Sequence, residues 1–192
     1  MAASEKSQCR KVRLAFWEKW LSRDSPFSKN REQRLQPDRE IPSWAIEALP
    51  DTGERIRILD VNPGPISSLG NMADGEEVEL VPIDPLADAY QKIILANGLQ
   101  PPVPTRFCAP EDVFNTFGKE AFHLIYSYNG LDYTSDPTRI YKALLKSLNP
   151  NGRIITFHEA AKDKKQLHRE GFRFFHACEN NRAQIEKKRY PR

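Results

Sequence analysis

The chain has 192 residues, of which 29% are charged and 39% hydrophobic, a composition typical of one globular domain. No apolar run exceeds four residues, whereas a membrane-spanning helix needs about 20. The first residues lack the apolar stretch of a secretory signal, and Ala2 excludes N-myristoylation. Three cysteines, far apart, match neither a disulfide framework nor a zinc site and fit a reducing compartment. The sequence therefore predicts a cytoplasmic protein with no membrane contact.

Charge is distributed unevenly along the chain. Residues 1–40 have a formal balance of +4 and residues 161–192 one of +6, whereas residues 41–160 have −7. Basic ends can contact nucleic acid or an anionic substrate, but two solvated amphipathic segments would give the same pattern. Because there is no long basic block and no zinc-finger spacing, a nucleic-acid partner is an open alternative that the sequence does not favour.

The N-terminal part is predicted to be a helical extension of residues 1–43. A helix is expected over Arg13–Ser22, where apolar residues recur at helical spacing. Residues 23–43 are polar, contain three prolines and predict irregular structure. A short helix over Trp44–Leu49, ended by Pro50, then opens the main domain at residues 44–192.

Strands and helices alternate along the rest of the chain. Alternating or continuous apolar residues predict strands at Arg55–Val61, Glu77–Asp84, Arg106–Ala109, Phe122–Tyr128 and Arg153–His158. Helical spacing and terminal signals predict helices at Ile66–Ala73, Pro85–Asn97, Glu111–Phe117, Asp136–Leu148 and Ala160–Glu170. Turns are expected at Asn62–Pro65 and Asn149–Gly152, and a final hairpin at Phe172–Cys178 and Arg182–Lys187. This order predicts an α/β fold, a Rossmann-like doubly wound and mostly parallel sheet with a C-terminal antiparallel hairpin.

Two features are expected at the carboxyl ends of the first two strands, where ligands bind in such sheets. The turn Asp60–Pro65 contains Gly64, which lets backbone approach a ligand closely. Asp84 ends the second strand 20 residues later, where an acid can accept both hydroxyls of a ribose. Position 67 is serine rather than the third glycine of a dinucleotide loop, so a pyrophosphate is disfavoured. The pair predicts an adenosine-type ligand.

The order of these segments resembles the class I S-adenosylmethionine-dependent methyltransferases over roughly residues 44–187. Segments similar to the family's motifs are Ile58–Pro65, Val81–Leu86, Ala109–Asp112, Phe122–Tyr133 and Leu145–Arg153. Phe16, Trp17, Trp20 and Leu21 are also similar to the N-terminal helix of small bacterial-type members. The resemblance implies S-adenosylmethionine as cofactor. It implies cofactor contacts from Asp60, Asn62, Gly64, Asp84, Pro85, Glu111, Tyr126, Ser127 and Asn129.

Methyl transfer is an in-line displacement that needs proximity, orientation and a base only when the nucleophile carries a proton. The resemblance places Asp132 and Tyr133 where a substrate could approach, and His158 as a candidate base. Each of the three could instead serve a turn, a strand or a helix cap. His158, His168 and His176 share no metal-ligand spacing, so no metal site is expected.

Four positions depart from the family pattern. Asn62 replaces a glycine, Pro63 removes a backbone N–H from the first loop, Ala109 stands where an acid is common, and His123 replaces an aspartate. The sequence therefore leaves two alternatives beside an enzyme acting on a small-molecule or glycan acceptor. One is a non-catalytic binding or interaction module of the same fold, and the other is an RNA-directed methyltransferase.

Overall fold

A computed structural model of the chain describes residues 3–49, 53, 55–131, 136–157, 174–179 and 182–187. For residues 3–9 and for the last two segments, only the backbone is described. The helices are α1 (Ala3–Leu21), α2 (Ser28–Arg34), α3 (Ser43–Ile46), α4 (Ala87–Ala96), α5 (Val113–Phe117) and α6 (Pro137–Ser147). The strands are β1 (Arg57–Val61), β2 (Met72–Ala73), β3 (Glu76–Glu77), β4 (Glu79–Ile83), β5 (Phe122–Tyr128), β6 (Leu148–Phe157), β7 (Phe174–Glu179) and β8 (Arg182–Lys187).

Four parallel strands form the central sheet in the order β4-β1-β5-β6. The chain moves from β1 to one neighbour, β4, and then returns to the other side of β1 to form β5. This reversal is a topological switch point, and it opens a crevice between the carboxyl ends of β1 and β5. β7 and β8 pair antiparallel as a separate hairpin. The predicted fold class, a Rossmann-like parallel sheet with a C-terminal hairpin, is confirmed.

Buried apolar residues cover both faces of this sheet. On one face, Leu59 and Ile125 pack in a cluster with Val113 of α5 and Ile140 of α6. On the other face, Ile58, Leu80 and Tyr126 share a cluster with Ala45 of α3. Within the described residues, no helix combines the length and the apolar character that crossing a bilayer requires.

A third apolar cluster joins the N-terminal segment to α4 and to the loop after β1. Trp20 and Leu21, at the end of α1, are buried with Ile66, Leu86 and residues of α4. The indole of Trp17 lies edge-on to Tyr90 of α4, with 6.3 Å between ring centroids. The two regions predicted as extension and domain thus share one core, and the boundary at residue 43 stays a prediction.

The structure corrects several predicted elements. Residues 23–43 were expected to be irregular but contain α2, and Ile66–Ala73 is a bent loop that ends in β2 rather than a helix. Arg106–Ala109 contributes only an isolated bridge between Arg106 and Ile83. Asn149–Gly152 belongs to β6 because Leu148 pairs with Phe122 before a register irregularity. The predicted helix Ala160–Glu170 lies outside the described residues.

Pro82 lies inside β4, although it cannot donate a hydrogen bond. β4 is an edge strand of the four-stranded sheet, a position in which proline is tolerated. The Pro82 carbonyl accepts a hydrogen bond of 2.9 Å from the backbone N–H of Arg106. The strand therefore continues through Pro82 and delivers Asp84 to the edge of the switch point.

Candidate functional site

The loops that follow β1 and β5 are tied together across the switch point. The Asn62 side chain donates from Nδ2 to the carbonyl of Gly130 over 2.9 Å. Ser127 Oγ donates to the carbonyl of Val61, also over 2.9 Å. Any Cβ at Gly130 would collide with the Val61 carbonyl, so only glycine permits this approach. The two predicted residues, Asn62 and Ser127, therefore join the walls of the crevice.

Asp60 lies beneath this junction and is buried. Ser67 Oγ donates to its Oδ2 over 2.6 Å, whereas Oδ1 has no hydrogen-bond partner within the described part of the chain. Burial raises the pKa of the Asp60 carboxyl to about 7, against the opposing effects of the Ser67 bond and the Arg34 charge. Asp60 is thus a buried acid that can hold its proton near neutral pH.

The glycine turn after β1 is covered by α1. Pro63, Gly64 and Pro65 are all buried, and Gly64 adopts a φ of 83°, which favours glycine. A Cβ at Gly64 would collide with the indole ring of Trp17. On the other side, Thr105 Oγ1 donates to the Gly64 carbonyl over 2.9 Å. The surface of the turn that could face a ligand is therefore occupied by a tryptophan of the same chain.

Asp84 follows β4 as predicted and is fully buried, with both carboxylate oxygens engaged. Oδ1 accepts the backbone N–H of Leu86 over 2.9 Å, which fixes the entry into α4. Oδ2 accepts from Nη2 of Arg13 over 2.6 Å, and Arg13 is itself only 8% exposed. Removing either partner of such a buried ion pair is strongly destabilising, because it leaves an uncompensated charge.

Two further arginines of the N-terminal segment hold the loop between β1 and β2. Arg34 Nη1 donates to the carbonyl of Ile66 over 3.1 Å, and burial lowers the pKa of its guanidinium. Arg39 donates to the carbonyls of Ser68, over 2.7 Å, and of Leu69. These bonds satisfy loop carbonyls that no sheet or helix pairs, and they fix the loop beside Asp60.

The structure distributes the other predicted cofactor residues more widely. Tyr126 packs beside Trp44, 5.4 Å between ring centroids, in the cluster under α3, and burial raises its pKa to about 12 against a side-chain hydrogen bond with Ser68 of the loop after β1. That Tyr126 contacts the cofactor stays a prediction, whereas Ser127, the next residue of β5, bonds the Val61 carbonyl across the crevice. Asn129 joins the ends of β5 and β6 through its backbone N–H, which donates to Phe157 over 2.8 Å.

Pro85 lies half-buried beside Asp84, just before α4. Glu111 lies half-buried in the single 3₁₀ turn Pro110–Asp112 that precedes α5. The candidate catalytic residues Asp132, Tyr133 and His158 lie outside the described residues, so their roles stay predictions. The structure thus brings together Asp60, Asn62, Gly64, Asp84 and Ser127.

Arg13 and Trp17, the two residues of α1 that cover the site, are not among the predicted site residues. Arg13, Trp17 and Trp20 stand four and three residues apart, so they lie on one face of the helix. That spacing was visible in the sequence, but a charged residue on an otherwise apolar face gave no indication of which carboxylate it would meet.

The polar groups at this site match those of S-adenosylmethionine. The Asp84 carboxylate can accept the two hydroxyls of a ribose, and Asp60 Oδ1 and Asn62 Oδ1, which have no donor among the described residues, can accept an ammonium group. The space beside these groups is taken by the side chains of Arg13 and Trp17. These acceptors therefore fit the cofactor once the side chains of Arg13 and Trp17 have moved out of the site.

No protein-family model matches the sequence, and no curated protein matches it. One solved structure that is similar is the trans-methyltransferase CalH in complex with SAH, at 17% identity and a TM-score of 0.46. The match covers 60% of this chain and 35% of CalH, so the chain corresponds to about a third of that protein. A protein from Corynebacterium glutamicum, solved by a structural genomics consortium, is similar at 14% identity and a TM-score of 0.37, over 88% of this chain and 77% of that one. The sheet order described above is the basis on which we assign a Rossmann-like fold.

Proposed function

We propose that this domain binds S-adenosylmethionine and transfers its methyl group to a small-molecule or glycan acceptor. The observation that carries the proposal is the position of Asp84, a buried carboxylate at the carboxyl end of β4, beside the glycine turn that follows β1. In a sheet of this order, that position lies at the switch point where nucleotides bind. A carboxylate there discriminates a ribose by accepting both hydroxyls.

The remaining polar groups support the same ligand. Asp60 Oδ1 and Asn62 Oδ1 are buried acceptors without a donor in the described chain, a state that is unfavourable unless a ligand or water supplies the donor. The ammonium of the cofactor's methionine half would satisfy them. When bound, the cofactor supplies a methyl group already activated by the positive sulfur, so the protein has mainly to position it and exclude water.

The test is calorimetric titration with S-adenosylmethionine and S-adenosylhomocysteine. We expect the wild-type protein to bind both, and Asp84→Asn to weaken binding by about tenfold or more, because a hydrogen bond to a charged acceptor contributes about 1.5–3 kcal/mol. Asp88→Asn, on the exposed side of α4, is the matched control and should bind like wild type. Circular dichroism must show that Asp84→Asn is folded. Absence of binding at millimolar ligand by both the wild type and a variant lacking Arg13 would refute the proposal.

A non-catalytic module of the same fold is the second candidate, and one observation favours it. The ion pair between Arg13 and Asp84 already satisfies the carboxylate that a ribose would need, and Pro63 removes an N–H from the turn. In that case neither the wild type nor a variant lacking Arg13 would bind the cofactor. Consumption of S-adenosylmethionine in the presence of small-molecule and glycan acceptors would decide for the enzyme.

A further inference from the structure

We infer that α1 is an internal competitor of the cofactor, so that docking of α1 on the turn after β1 and binding of a nucleoside at Asp84 exclude each other. The inference rests on the proposed function and adds a regulation of the same site. It follows from what two side chains of α1 occupy, and from how burial is distributed along the helix.

Arg13 takes the place of a ribose at Asp84. Oδ1 of Asp84 accepts the backbone N–H of Leu86, and Oδ2 accepts from the Arg13 guanidinium. The Asp84 carboxylate has no exposed surface. A ribose can reach this carboxylate only if the guanidinium leaves. Because both would use the same oxygen, binding of one displaces the other.

The indole of Trp17 occupies the other part of the site, the surface of the turn after β1. Its indole ring is so close to Gly64 that a single methyl group on that glycine would collide with it. A cofactor whose methionine half lies along the turn needs the same surface. One helix therefore blocks both the carboxylate and the turn, through residues one helical turn apart.

Burial along α1 indicates which end is released. Arg10 and Lys11 are exposed, and Arg13 is the first buried residue of the described side chains, whereas Trp20 and Leu21 are buried in the cluster with α4. The C-terminal end of α1 can stay anchored while the part before Trp20 swings away. Freeing Asp84 then requires the loss of the Arg13 ion pair, of the Trp17–Tyr90 ring contact and of the packing of Leu14 and Trp17 on the cluster, rather than the unfolding of the domain.

The consequence is a reduced apparent affinity, since only the fraction of molecules with α1 released can bind. If α1 is released in about a tenth of the molecules, the apparent Kd is about tenfold weaker than that of the open site. Reciprocally, a bound cofactor must raise the fraction in which α1 is released.

The experiment compares Arg13→Gln with the wild type by calorimetric titration of S-adenosylhomocysteine, a ligand without the sulfonium charge. We expect Arg13→Gln to bind about tenfold more tightly. Lys11→Gln removes the same charge from an exposed position of the same helix and should bind like wild type. Equal or weaker binding by Arg13→Gln would overturn the inference while leaving the proposed function intact.

A second measurement on the wild-type protein covers the case that Arg13→Gln is poorly folded. Saturating S-adenosylhomocysteine should speed hydrogen exchange of the backbone amides of α1 before Trp20, with exchange in β1 unchanged. If the ligand instead protected α1, the helix would close over the cofactor and the inference would be wrong. If no variant bound S-adenosylhomocysteine at all, the proposed function itself would have failed, which is a different result from equal binding.

Discussion

Replacing Asp60 by asparagine should remove a pH dependence from the stability of the fold. Burial raises the pKa of this carboxyl from 3.8 to about 7, whereas in the unfolded chain it returns to its ordinary value. Between pH 4 and pH 7 the folded state therefore binds more protons than the unfolded state. Stability that is fully present below pH 4 is lost as the pH rises through 7.

The magnitude follows from the shift. About three pKa units at 1.36 kcal/mol each correspond to about 4 kcal/mol of stability lost between pH 4 and pH 8. Asparagine has nearly the shape of aspartate but carries no ionisable proton. The free energy of unfolding of Asp60→Asn should therefore rise above that of the wild type by this amount between pH 4 and pH 8. Below pH 4 the protonated aspartate carries no such penalty, and the advantage should disappear.

The assay is urea denaturation followed by tryptophan fluorescence at a series of pH values. Each curve gives a free energy of unfolding, and the quantity of interest is its difference between the variant and the wild type. Asp88→Asn, at an exposed position of α4, serves as the control and should not show a gain of about 4 kcal/mol between pH 4 and pH 8. Parallel pH profiles for Asp60→Asn and wild type would show that the reasoning about this buried acid is wrong.

Four structural contacts give further predictions, each checked by thermal or urea denaturation unless stated. Asp136 Oδ1 accepts the backbone N–H of Arg139 at the start of α6 over 3.0 Å, so Asp136→Ala should lose about 1 kcal/mol and Asp136→Asn far less. Trp20→Ala should lose about 3–5 kcal/mol, and a loss below 1 would contradict its place in the core. Gly130→Ala should lose about 1–3 kcal/mol through overpacking at the loop junction, and unchanged stability would contradict it. Ultraviolet titration should include a tyrosine step near pH 12, and Tyr126→Phe should remove it.

The sheet could be predicted because its strands carry their own signal. The apolar runs around Leu59, Val81 and Ile125 are buried on both faces, and such runs stand out between polar loops. Asp84 was placed correctly because the end of a strand and the start of a helix are both marked in the sequence. The carboxylate at the switch point was therefore predictable from local pattern alone.

α2 could not be predicted because its attachment is polar. Of its seven residues only Arg31 is buried, and this arginine donates to the carbonyls of Leu21, over 3.0 Å, and Ser22. A helix held by a guanidinium has no apolar periodicity to detect. The same applies to the loop after Ile66, whose bent path is set by Arg34 and Arg39 rather than by its own residues.

The closure of the site depends on contacts between distant parts of the chain. Arg13 and Asp84 are 71 residues apart, and nothing local to either predicts that they meet. The spacing of Arg13 and Trp17 places them on one face of α1 but does not identify the residues that they contact. Asp132, Tyr133 and His158 stay predictions because they lie outside the described residues.

The arginines that hold the loop after β1 also determine when the N-terminal segment can acquire its structure. Their partners follow later in the chain, 32 residues after Arg34 in the case of Ile66 and 71 after Arg13 in the case of Asp84. During synthesis the N-terminal segment is made first, so it leaves the ribosome before any of its partners exist. Until α4 has emerged, Trp17 and Trp20 have no cluster to enter and present apolar surface to solvent or to a chaperone. The same long-range contacts that complete the native core thus keep the first forty residues from settling until α4 has been made, and in that interval their apolar surface is exposed to aggregation.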